Sequence, residues 1–400
     1  MTLDVQPIQH DGQAYFLLRD KLELAGPQSL IVPVALGPLL AMLDGRRSAM
    51  RAALDLEQQL GIAVDPRDVL RFIDQLSEAC LLEDVRSAAA RRDALAAYRA
   101  APFRQPALTG GVYPAEPDAL RQRLAGYGWG AADAATTNGI AGLISPHIDY
   151  HRGGPVYATL WRAAQEAARA ADVVVIFGTD HSGGLDRITL SAIDYATPFG
   201  RLPTDAAAQD AIVNALGDEA FADELNHRME HSIELAAVWL HFARDGEPVP
   251  IVPVLCGHPA NYMAAGGIRA ETPAGRAIAA LRGALAGRRL LAVAAADLAH
   301  VGPAFGDPAP FRPDEKAAVR AADEALIAAC ADGAAAVLRN AAQIDDQFRI
   351  CGLSPIACML ELIGPAQPET LAYDQCPADE GAGSIVSIAG VLLRTAGTMS

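Results

Sequence analysis

No uninterrupted apolar stretch in this 400-residue chain approaches the roughly 18 residues that a membrane-spanning helix needs, and the first residues lack the basic-then-apolar order of a secretory leader. A soluble, cytoplasmic protein is therefore expected. Cysteine is sparse. Cys80, Cys256, Cys330, Cys351, Cys358 and Cys376 form no CxxC pair, which argues against structural zinc and against a secreted disulfide framework, and leaves reduced thiols. Basic charge is in deficit. A formal net charge of −16 opposes phosphate backbones over most of the surface, so nucleic acid is not an expected partner. No internal repeat is evident. What the chain does have is bulk: with 51% hydrophobic residues it can bury a large core, and its length favours two domains, or one large domain with an appendage.

Residues 1–86 read as a small unit. QAYFLLRD has the look of a short strand, and IVPVALGPLLAMLDGRRS begins a helical pattern that Asp44-Gly45 ends. SAMRAALDLEQQLG and DPRDVLRFIDQLSEACLL follow with apolar residues at helical spacing, the second opened by Asp65 as N-cap and Pro66 at the first helical position. Three helices and a terminal strand predict a winged-helix-like module. The order of LDGRRS, a helix and VLRFIDQLSEACLLED resembles the pyrroloquinoline-quinone biosynthesis D-type proteins. That resemblance implies peptide or partner recognition; an ancillary helical cap on the larger domain is the alternative. Residues 87–106, rich in Ala and Arg and ending in two prolines, read as a connector.

From residue 107 short β-rich runs alternate with Ala-rich helical patterns: GIAGLISPH, GPVYATLWRAAQEAARA, DVVVIFGTDH, DAAAQDAIVNALG, PVPIVPVLCG, RAIAALRGALAG, RRLLAVAAADLAH. This alternation predicts an α/β sandwich spanning 107–400. Three of the strand-like runs lead into a histidine, in LISPHIDYHRGG, VVVIFGTDHSGG and LAVAAADLAHVG. Ligands of open α/β sheets bind beyond the carboxyl ends of the strands, so His147, His181 and His300 can share a pocket. Asp180 and Asp297 stand ready as ligands or as partners that fix an imidazole tautomer; Asp297 capping a helix is the plain alternative. LNHRMEHSIELAAVWLHF is expected on one helix, with His227 and His231 on a shared face and Glu234 close by. Read literally, HRMEH is the signature of inverted zinc proteases. Cys351 falls at a loop-to-helix junction that can stabilise a thiolate, as a soft ligand or a nucleophile.

In order, GGVYPAEPDAL, SPHIDYHRGG, GTDHSGG, TPFGRLPTD, EHSIE, IVPVLCG, DLAHVG, ICGLSPI and SIVSIAGVLL resemble the Memo family across residues 107–394. The resemblance implies an α/β fold like that of class III extradiol ring-cleaving dioxygenases, with a metal site at the strand ends. It implies His147, His181 and Cys351 as metal ligands, His231, Asp297 and His300 as further polar groups of the pocket, and iron or copper as the metal. It also implies a non-haem oxidoreductase that works with radical-SAM and AMMECR-type proteins. A non-catalytic scaffold that binds a peptide or metabolite in an inherited pocket is the competing class. Two segments depart from the family pattern. Ser354 stands where relatives often carry a histidine, and SPHIDYHRGG has Ile148 and Asp149 in place of small residues and adds His151.

Overall fold

Asp11 and Gly12 hold positive φ angles of 48° and 75°, the combination a two-residue type I′ hairpin requires. They join β1 (Leu3–His10) to β2 (Gln13–Asp20). β3 (Ser29–Pro33) pairs with the other edge of β2 to complete a three-stranded antiparallel sheet. The computed structural model describes residues 3–61, 63–130 and 139–395, divided into two compact units, Met1–Ala100 and Ala101–Ser400.

Helices Gly37–Met42, Ala49–Leu60, Pro66–Glu78 and Val85–Ala100 complete the first unit. Asp65 caps the third by accepting from the Arg67 amide, with Pro66 beside it, because proline at this position loses an N–H that has no helical partner anyway. Gly61 ends the second in a left-handed conformation, φ 68°. Two expectations change here. The terminal strand is one of three, and IVPVALGPLLAM divides between β3 and a helix that starts only at Gly37. β1 escapes a pattern search because LDVQPIQH is polar, carries Pro7 and is largely exposed, as suits an edge strand. Most of the expected connector is helical: residues 87–100 lie within Val85–Ala100, whereas Arg104 is 1% exposed inside the second unit.

The second unit is built on a mixed sheet of eight strands. These are β4 (Ile140–Ser145), β5 (Val173–Thr179), β6 (Ile188–Leu190), β9 (Ile251–Cys256), β10 (Leu290–Ala295), β11 (His300–Val301), β12 (Gln367–Pro377) and β13 (Ile385–Arg394). The small hairpin β7 (Tyr195–Thr197) and β8 (Gly200–Leu202) stands apart. The strand order is β11-β13-β4-β10-β5-β9-β6, with β12 along β13. β4, β10, β5 and β9 run parallel at its centre. Their apolar sequences follow from burial on both faces. Along β10, Ala292 and Ala294 face one core while Leu291, Val293 and Ala295 face the other. Pro253 in β9, in register with Ile176 of β5, falls one residue past the last β6 pair, Leu190 with Val254, so on the β6 side no ladder bond is asked of its missing N–H.

Helices Ala206–Leu216, Pro273–Ala284, Ala334–Gln343 and Leu353–Ile363 cover one face, and Pro117–Ala125, Tyr150–Ala163 and Ser232–Ala243 the other. Every residue of Ser232–Ala243 is buried. This is the predicted α/β sandwich. No helix of the described residues is long and apolar enough to cross a membrane.

Candidate metal centre

The parallel register sets Ser145 beside Ala295 and Ala295 beside Gly178, so β4, β10 and β5 end side by side. His147, Asp297 and His181 each come two residues after their strand. The position equivalent to the two histidines is thus held by Asp297. His300 lies further on, in β11.

His147 is buried, and its Nδ1 donates to Ala295 O at 2.9 Å. A backbone carbonyl can only accept, so Nε2 keeps the lone pair in the neutral ring. That Nε2 lies 3.2 Å from Cys351 Sγ and 3.7 Å from Asp297 Oδ2. Asp297 also fixes the turn by accepting from the amides of His147 and Ile148 at 2.8 and 3.1 Å.

His231 comes from the opposite side, immediately before helix Ser232–Ala243. Its ring stacks on His181 with centroids 4.9 Å apart and stands edge-on to His147 at 5.6 Å. One ligand atom each from His147, His181 and His231 lies within 4.8 Å of the others. The close approach of helix and strand depends on Gly178, where a Cβ would come within 2.5 Å of Ile233.

Glu230 organises this side of the site, although the sequence singles it out only as the glutamate of HRMEH. Its carboxylate accepts from the amides of His181, His231 and Ser232 at 3.0, 2.8 and 3.1 Å and from His181 Nδ1 at 3.0 Å. His231 Nδ1 lies 3.2 Å from the same carboxylate. Burial opposes its charge, but His181, through its ring and its amide, and His231 hold the carboxyl well below its usual range. A carboxylate on Nδ1 is the arrangement that aims Nε2 at a metal. Asp180, the nearer candidate in sequence, instead takes the Asn226 side chain at 2.9 Å and the Ser182 amide at 3.0 Å. The readable signal for Glu230 was its place in EHSIE, an acid at a helix start.

Cys351 precedes helix Leu353–Ile363. Gly352 presses against β10's end, where a Cβ would come within 2.4 Å of Ala296 Cβ and 2.5 Å of Asp297 O. Burial opposes ionisation, yet His147 and His300 pull the thiol down to about 5. Burial likewise disfavours a charged His147, but Asp297 and Cys351 raise it to about 9. His231 moves the other way, to about 4, through burial. His300 is outside the trio: its Nδ1 donates to Leu298 O at 3.0 Å and its ring meets Phe305 edge-on.

The single helix expected around HRMEH is broken. Glu224–Arg228 is a 3-10 turn, and the α-helix starts at Ser232. His227 is consequently buried elsewhere, donating through Nε2 to Thr189 O at 3.0 Å and accepting the Tyr195 hydroxyl on Nδ1. Both nitrogens are engaged, so the protease-type pair does not assemble. Glu234 ion-pairs with buried Arg104 and accepts the Tyr113 hydroxyl. Of the departures from the family pattern, Asp149 caps helix Tyr150–Ala163, His151 is exposed on it, and Ser354 is buried in the helix after Cys351.

A parallel-centred α/β sandwich with a cluster of histidines at its strand ends defines the class. The family model described as Memo-like protein matches residues 104–392, and the chain belongs to the Memo family. A MEMO1 family protein of Methanococcoides burtonii is 27% identical over 298 residues, covering 73% of this chain and 100% of that protein. One from Aquifex aeolicus is 23% identical over 307 residues, 75% of this chain and 76% of that one. One from Methanosarcina barkeri is 30% identical over 155 residues, 39% of this chain and 55% of that one. The family match lies wholly in the second unit.

Proposed function

We propose that this chain is a non-haem metal-dependent oxidoreductase that holds iron or copper at His147, His181 and His231, with Cys351 as the adjoining soft donor. The observation that carries this is the convergence of three imidazole ligand atoms within 4.8 Å, two of the rings held on their Nδ1 side by Glu230 and the third by Ala295 O. The donor set fits: imidazole suits iron, copper and zinc, and a thiolate favours copper(I) or a redox-tuned iron. A bound iron or copper supplies one-electron chemistry.

The chain's own groups have separate tasks. Asp297 holds the His147 turn in place, and the His147–Cys351 contact of 3.2 Å lets a proton reside on nitrogen while sulfur stays anionic. Glu230 keeps His181 and His231 oriented. His300, whose charge acts on the Cys351 thiol, is the group assigned to take or return a proton at the edge of the site. Radical-SAM and AMMECR-type proteins are the proposed partners, with the first unit as the docking module. Deleting residues 1–90 should then abolish partner capture and leave metal content intact.

The test is metal analysis of protein purified anaerobically, for wild type, His147→Ala, His231→Ala and Cys351→Ala. Near-stoichiometric iron or copper, lost with either histidine, supports the reading. Retention in Cys351→Ala would remove sulfur from the ligand set. A reconstituted wild type without metal would make the pocket a binding site for a metabolite or peptide.

A further inference from the structure

The segment that delivers Cys351 has an unusual backbone. Asp345, Asp346 and Arg349 adopt φ of 52°, 43° and 50°, a region that side chains other than glycine avoid. Such a conformation persists only where its surroundings over-determine it. Here the surroundings include the loop that follows β10. His300 N donates to Phe348 O at 2.7 Å, and Gly352 N donates to Asp297 O at 2.9 Å. Between these two bonds in sequence, the Arg349 guanidinium pairs with the Asp307 carboxylate. Nε and Nη2 of Arg349 are buried and have no hydrogen-bond partner beyond this ion pair. Asp307 is held in turn by the Gly302 amide, at 2.7 Å.

The side chains of Arg349 and Asp307 are 39% and 28% exposed, so breaking the pair lets the guanidinium turn its covered Nε and Nη2 to water and frees the segment from the loop that follows β10. Cys351 is two residues away, and its contact with His147 depends on where that segment lies. We propose that Arg349 and Asp307 form a clasp that positions Cys351 against His147, making them positioning residues for the metal centre. The effect at the metal rests on the function proposed above; the placement of the thiol does not.

The full-length protein would be studied metal-free and loaded with Co2+, comparing wild type with Asp307→Asn, Arg349→Gln and Arg349→Lys, and with Cys351→Ala as the baseline for sulfur ligation. In the metal-free state, amide hydrogen exchange across residues 350–353 should be about tenfold faster in Asp307→Asn and Arg349→Gln. In the cobalt state, their sulfur-to-cobalt charge-transfer absorption should fall by roughly half or more per bound ion, with cobalt stoichiometry retained on the histidines. Arg349→Lys, which keeps the charge, should recover much of both signals. An ion pair that merely stabilised the fold would lower Tm without changing the sulfur band. Unchanged exchange and an unchanged band in both clasp variants would overturn the proposal. A wild type that binds no cobalt, or binds it without a sulfur band, counts against the ligand set instead, and the exchange result then decides the clasp alone.

Discussion

His227 and His231 are four residues apart, yet their surroundings differ in kind. His227 uses both ring nitrogens, on Thr189 and Tyr195, and burial drives it down to about 3. His241 does likewise, with Thr197 on Nδ1 and Gly246 O on Nε2, at 2.8 and 2.9 Å. The rings of His147, His181 and His231 are instead held on Nδ1 and turned toward one another. Burial alone therefore does not mark a ligand, since His147 is about as buried as His241. What separates the two sets is what the second nitrogen meets: backbone oxygens at Nε2 of His227 and His241, and another group of the cluster, the Cys351 thiol, at Nε2 of His147.

The contrast can be broken most severely at Glu230. Glu230→Ala should abolish metal binding and cost about 3–5 kcal/mol, because it strips a buried carboxylate from two imidazoles and three amides; urea unfolding and metal analysis read both effects. His227→Ala should cost about 1–3 kcal/mol by orphaning its buried partners, while metal content stays at the wild-type level. Loss of metal in that variant would collapse the distinction between the two groups. Gly352→Ala should cost about 1–3 kcal/mol through overpacking and weaken metal affinity by displacing Cys351.

Titration sharpens the same contrast. A metal must displace the proton that His147 holds up to about 9, so affinity should climb with pH from neutrality and level off near that value. In the metal-free protein, the stability gained from His147 is complete below its ordinary value of 6.5 and is lost as pH rises through about 9. The thiolate contribution of Cys351 has the opposite sense, being lost as pH falls through about 5. Thiolate absorbance followed against pH should report that second limit. His300→Ala should have the smallest effect, a modest upward move of the thiol with metal retained.

The central strands were legible because burial on both faces makes them read as apolar runs, and the ends of β4 and β5 gave away His147 and His181. The third strand end misled, since Asp297 rather than His300 holds the equivalent place, and only the β4-β10 register distinguishes them. Glu230 was hidden because its work is done through the amides of a helix start and a histidine 49 positions away in sequence. Arg104 was concealed within an Ala- and Arg-rich stretch that resembles a connector, although it meets Glu234 in the interior. Periodicity also carried one helix through HRMEH, whereas the chain turns between His227 and Ser232 to bring His231 into the trio.

Helix Ser232–Ala243 is buried along its whole length, and Gly178 lets it sit hard against β5. The approach of His231 to the other two rings is consequently set by the core rather than by an incoming ion. Such a frame is preorganised: most of the ordering entropy of the donors is spent during folding, leaving little to lose on capture. On the function proposed above, an ion whose preferred bond lengths disagree with that fixed span would have to strain the hydrophobic interior to bind, a means of resisting the general affinity order of divalent metals.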